Sequence, residues 1–117
     1  MRSYTDLEQS KRLAEILPIE SADMYYNLAE SKIPNFIVGS HSDYRCYIPC
    51  WGLAALLNIL AKIASKIDDD GSADLSSFMG QWSVNMLDCP VEATDNYDNP
   101  VDACVVMIGK LNELNLL

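Results

Sequence analysis

Apolar positions along this chain change spacing from one stretch to the next, and each change marks an element. In TDLEQSKRLAEIL, Leu7, Leu13, Ala14 and Leu17 fall near one helical face, and Pro18 closes the stretch. Thr5 is placed to cap this helix, with Glu8 three residues later completing a capping box. Asp6 and Glu8 suit the positive end of its dipole. The next stretch, SADMYYNLAESKIP, fits two templates. Met24, Tyr25, Leu28 and Ala29 lie on one helical face, whereas Met-Tyr-Tyr favours extended structure, so a strand near 23–28 is the reading adopted. A hairpin is expected next. Phe36-Ile37-Val38 is β-rich and residues 39–43 are turn chemistry, after which Tyr44, Cys46 and Ile48 alternate with Arg45 and Tyr47.

Pro49 suits the first position of a helix, where its missing N–H costs nothing. From Trp51 to Ile67 nearly every side of that helix is apolar, which predicts a buried helix near 50–66 at the centre of the fold. IDDDGSADLSS is a polar excursion that ends it. Trp82, Val84 and Met86 then alternate with Ser83 and Asn85 as a strand, with the preceding SFMG available to pair with it. An acidic loop, CPVEATDNYDNP, leads to a last helix. Asn99 caps it, Pro100 takes its first position, and Asp102 suits its dipole. Val101, Cys104, Ile108 and Leu111 form its core stripe, widened by Val105 and Met107. Gly109 lowers its helix propensity by about 1 kcal/mol relative to alanine. The tail LNELNLL reads as docked. The expected fold is α+β: one domain over 1–117, with a small antiparallel sheet of about four strands packed against about three helices.

Half of the 117 residues are hydrophobic, enough for one core. Asn58, Lys62 and Lys66 interrupt the longest apolar run, so no membrane span is expected. The charged N-terminus lacks the apolar region of a signal peptide, which makes a cytoplasmic address the default. Cys46, Cys50, Cys89 and Cys104 are then read as reduced thiols. Charge is one-sided. Residues 1–67 balance to zero, and residues 68–117 supply the whole net charge of −9. Such a chain repels nucleic-acid backbones, and the same acids suit a basic protein partner or serve solubility alone.

Cys50 is the one candidate nucleophile. Cys-Trp-Gly-Leu-Ala-Ala resembles the helix opening of papain-type proteases, and a thiol in a first helical turn has a lowered pKa. The remainder of that machinery is missing: Ile48-Pro49 replaces the preceding glycine, and the only histidine, His41, lies upstream. A hydrolase or transferase with Cys50 as nucleophile and His41 as base is therefore the lesser reading, behind a buried cysteine beside a packed tryptophan. His41, Cys46, Cys50 and Cys89 do not have the paired spacing of a zinc site. DDDGSAD places Lys66 and Ser77 where a calcium loop needs acidic ligands. Glycine-rich phosphate motifs are absent, so no metal or cofactor is expected. Tyr25, Tyr26, Tyr47 and Trp51 are candidates for an aromatic patch, and equally for half-buried sheet residues.

Three blocks, TDLEQSKRLAEILPIESADMYY, IPCWGLAALLNIL and NPVDACVVMIGKLNELNLL, cover a little under half of the chain. Together they resemble a group of small uncharacterised proteins from Bacteroides-type gut bacteria and their phages and mobile elements. The resemblance implies a cytoplasmic accessory protein and carries over no functional residue. The expected function is a non-enzymatic protein-interaction module. Its candidate partner surface comprises Asp68, Asp69, Asp70, Asp74, Asp95 and Asp98, with Tyr25 and Tyr47. A homodimer through an exposed sheet edge is a further reading.

Overall fold

A computed structural model describes residues 2–27, 34–36 and 47–117. In chain order these form α1 (Leu7–Ala14), β1 (Met24–Asn27), β2 (Asn35–Phe36), β3 (Tyr47–Cys50), α2 (Leu53–Ile67), β4 (Ser72–Phe78), β5 (Gln81–Leu87) and α3 (Pro100–Glu113). A single 3-10 turn, Ile19–Ser21, links α1 to β1. The class is α+β as expected. Its strands, however, divide into two small antiparallel sheets rather than one: β2-β1-β3 and β4-β5.

Of the expected hairpin between 36–38 and 44–48 the described residues are Phe36, Tyr47 and Ile48, and these pair with β1. β1 lies between β2 and β3 and pairs with both, with Met24 opposite Phe36 on one side and Cys50 on the other. Met24 and Tyr26 are both buried, which suits an interior strand. The turn expected at 39–43, with His41, and the positions of Leu28, Ala29 and Cys46 lie outside the described residues.

Pro49 does not open a helix. It sits in β3 opposite Tyr25, on an edge strand, where proline is tolerated. The chain stays extended through Trp51 because residues 3–5 pair with it. Thr5 N–H donates to Trp51 O (2.9 Å) and Leu53 N–H to Ser3 O (2.9 Å). Tyr4 bridges Gly52 between them. With those backbone groups satisfied by a neighbour, the helix begins at Leu53 with Gly52 as N-cap. Gly52 N–H donates to Asp23 Oδ1 at 2.7 Å, and a Cβ on Gly52 would stand 2.8 Å from the same carboxylate.

Helix α2 is also less enclosed than its composition predicts. Leu56, Leu60, Ile63 and Ala64 are buried, while Ala54, Asn58, Ala61 and Lys62 face solvent. Its small and polar residues make a second side that needs no partner. The more enclosed helix is α3, with Val101, Ala103, Cys104, Met107, Ile108 and Leu111 all at or near zero exposure. The main core joins this face to Trp51, the inner side of α2, Val84 and Met86. A smaller cluster of Met24, Tyr26 and Cys50 sits under the first sheet.

The helix ends follow local chemistry. Asp6, not Thr5, caps α1. Its Oδ1 accepts from Gln9 N–H (2.8 Å) and Gln9 Oε1 accepts from Asp6 N–H (3.0 Å), so Gln9 completes the capping box in place of Glu8. Asn99 caps α3 as expected, accepting from Val101 N–H at 2.8 Å with Pro100 first in the helix. Asn115 (φ 57°) turns the chain out of α3, and Leu116 N–H returns to Leu111 O at 2.9 Å. Leu111 is buried and Leu116 packs on the core, but Leu114 and Leu117 are exposed, so the tail is docked by two of its four leucines.

The stretch read as a polar excursion, 67–77, contains all of β4 but Phe78, which pairs with Gln81 as expected of SFMG. Its alternation is present but chemically faint: Ala73 and Leu75 turn inward, and Ser72, Asp74 and Ser76 turn out. Among the described residues no helix is long and apolar enough to cross a membrane.

Two glycines test this packing in opposite directions. A Cβ at Gly109 meets nothing within 4 Å. Gly109→Ala is therefore expected to raise stability by about 1 kcal/mol in urea unfolding. A Cβ at Gly71 falls 2.2 Å from the Ala64 carbonyl oxygen. Gly71→Ala is expected to lower stability by roughly 1–3 kcal/mol in the same assay.

Candidate functional site

Cys50 lies at the end of β3 and is fully buried. Its thiol donates to Thr5 O (3.4 Å) and receives a contact from Thr5 Oγ1 (3.5 Å). Thr5 Oγ1 also pairs with Ser10 Oγ at 2.7 Å and accepts from Trp51 N–H at 3.1 Å. Tyr26 Oη donates to Thr5 O at 2.8 Å. Each polar group in this knot has a partner, which is the condition for burying it. Burial pushes the Cys50 thiol above its ordinary value, and the Asp23 carboxylate adds to the effect. Hydrogen bonds from Thr5 and Ser10 oppose it. This is the setting of an inert structural thiol, because the helix end that would stabilise a thiolate begins only at Leu53. Burial likewise raises the Tyr26 phenol.

The other described thiols are no better placed. Cys104 is enclosed in α3 and pushed up to about 12 by burial. Cys89 is half-buried, and the Asp68 and Asp88 carboxylates reinforce the rise caused by burial. Among the described residues no three His, Cys, Asp or Glu side chains gather as a metal-ligand set.

The expected partner surface divides between the two sheets. Tyr25 and Tyr47 lie diagonally across the β1–β3 pair, half-buried, with ring centroids 5.0 Å apart in an edge-to-face contact. The six aspartates instead surround the β4–β5 hairpin. Asp68, Asp69 and Asp70 lie in the connection into β4, and Asp74 is on its outward side. Asp95 and Asp98 belong to the segment running beside β5. Thr94 holds that segment through Val84, with N–H to O and O to N–H bonds both at 2.9 Å. Tyr97 and Trp82 exchange two further backbone bonds, of 2.8 and 2.6 Å. Asp98 Oδ1 accepts from Gln81 Nε2 at 3.4 Å.

The hairpin brings forward two residues that the periodicity did not single out. Met79 and Gly80 form its two-residue turn with φ of 53° and 79°, the double positive φ of a type I′ turn. Residues 76–81 are all exposed. Phe78 is 72% and Met79 87% exposed. The signal for this feature was Met-Gly flanked by residues able to pair, where such turns normally carry Asn-Gly.

A polar bridge also escaped the sequence reading. Asp102 Oδ1 accepts from Arg2 Nη2 and Gln9 Nε2, both at 2.7 Å, and so joins the N-terminal segment and the start of α1 to the start of α3. Its spacing of about a hundred residues gives it no local signature.

Iodoacetamide labelling with peptide mapping at pH 8 is expected to leave Cys50 and Cys104 unmodified in the native protein and to modify both in urea. Rapid native labelling of Cys50 with a midpoint at or below about 8.5 contradicts the structural role. Thr5→Val removes the oxygen shared by Ser10 and Trp51. Calorimetric melting should show a loss of roughly 1–3 kcal/mol. No family model matches the chain, and comparison with curated proteins and with solved structures likewise finds no match.

Proposed function

We propose that this protein is a non-enzymatic interaction module that works through the β4–β5 hairpin. In this reading Phe78 and Met79 enter an apolar recess on a protein partner, and the surrounding aspartates draw a basic surface towards it. A phage or mobile-element setting fits a small cytoplasmic accessory that assists or obstructs a host complex.

Met79 is the observation that carries the reading. Holding a methionine at positive φ costs roughly 1–2 kcal/mol, and at 87% exposure its side chain gains almost nothing from folding. Asparagine relieves the backbone cost in this turn type and is the more soluble choice. A backbone outlier bearing an exposed apolar side chain is the combination expected where contact with another molecule supplies the missing stabilisation. Aromatic residues and methionine are enriched at the centres of interfaces. Six aspartates around the hairpin in a chain of net charge −9 suit a basic partner, and their main effect is on the rate and specificity of encounter.

Met79→Asn separates binding from folding. Immobilised wild-type protein is expected to capture a partner from lysate at low salt and release it at high salt. The variant should melt at or above the wild-type temperature and bind that partner at least roughly thirtyfold more weakly, the loss typical of a hot-spot residue. Equal capture by Met79→Asn and Phe78→Ser would move the interface elsewhere on the molecule. Failure to retain any partner at any ionic strength would count against the module itself.

A further inference from the structure

A second surface has the opposite character. Where α1 ends and the 3-10 turn crosses α2, a groove of about 510 Å³ opens to solvent. Its apolar lining includes Ile16, Ile59 and Ile63, with Leu117 from the chain's last residues, and Lys62 and Lys66 stand on its α2 wall. Its volume lies within the roughly 300–1,000 Å³ common for small-molecule pockets.

The two lysines are its unusual feature. They lie one helical turn apart, a spacing at which like charges repel. Both are exposed, and neither makes an ion pair or hydrogen bond among the described residues. The ion pairs there are Arg2 with Asp6 and Asp102, and Lys11 with Glu8. In a chain with nine excess negative charges, two neighbouring unpaired cations beside an apolar channel form a local site for an anion. Glu20 and Ser21 stand among its lining residues on the 3-10 turn, so two lysines and one carboxylate leave the lining a single excess positive charge. That arrangement selects for a single anionic head group and an apolar body.

We propose that this groove binds a monoanionic amphiphile, with a medium-length alkyl chain against Ile16, Ile59 and Ile63 and a carboxylate held between Lys62 and Lys66. Charge complementarity supplies orientation, and burial of the chain supplies most of the affinity. The site stands independently of the hairpin. It also has a built-in reporter, because the Trp51 indole N–H donates to Ser21 Oγ at 3.0 Å.

Sodium decanoate below its micelle-forming concentration is the probe, titrated by calorimetry and, in Trp82→Phe, where Trp51 is the one tryptophan left, by indole emission. Saturable one-to-one binding is expected. It should weaken by at least roughly tenfold in Lys62→Gln/Lys66→Gln and for decanol, which keeps the chain and lacks the charge. The double variant should retain the wild-type melting temperature, since both side chains are exposed and unpaired. The proposal is overturned by absence of saturable binding, by equal binding to the double variant, or by equal affinity for decanol. Binding to phosphatidylglycerol vesicles without binding to monomeric decanoate also overturns it, in favour of a membrane surface.

Discussion

The pairing of Thr5 with Trp51 is the constraint around which this molecule is arranged. Thr5 donates its backbone N–H to Trp51, accepts the Trp51 N–H on its hydroxyl, and receives Tyr26 and Cys50 on its carbonyl. One residue thereby ties the N-terminal segment, β1, β3 and the approach to α2. Because it is fully buried, none of these bonds competes with water, and losing one leaves a partner stranded in the interior. The connection also sets where α2 begins. Its backbone is held extended until Gly52, and the tryptophan enters the main core from there.

The two sheets have different surroundings. The first closes over Met24, Tyr26 and Cys50 and is bound into the N-terminal network. The second packs Val84 and Met86 inward while its far end runs into solvent. The chain's charge follows the same division, with the balanced half building the knot and the acidic half surrounding the hairpin. The carboxylates nearest the knot, Asp6 and Asp23, are themselves engaged by the Gln9 and Gly52 N–H groups. The exposed hairpin tolerates the acids because solvent screens them.

Much of the fold was readable wherever a local rule acts alone. Asn99-Pro100 set the start of α3, and Trp82-Val84-Met86 announced β5, because capping and alternation involve only neighbouring residues. The reading failed where distant residues decide the outcome. Pro49 followed by an apolar run is a sound helix start until residues 3–5 claim the backbone at 51–53. Thr5 is a good cap by type, yet its hydroxyl is taken by Trp51 and Ser10, so Asp6 serves instead. β4 was read only at its end, in SFMG, because an exposed strand has little apolar content to alternate. Burial of Cys50 was legible as the company of a core tryptophan. Phe78 and Met79 were not, since apolar residues reveal nothing by type when they face water.

The segment holding Thr94 and Tyr97 covers one border of the second sheet and leaves the other, along β4, open among the described residues. Open borders of this kind recruit further strands and are where fibrils grow. Here the border is written in serines, with Asp74 turned outward near its middle and three more aspartates at its foot. Any copy of the chain stacking there would bring identical carboxylates against them. The hairpin can thus extend an oily tip into solvent while its flank turns away its own kind.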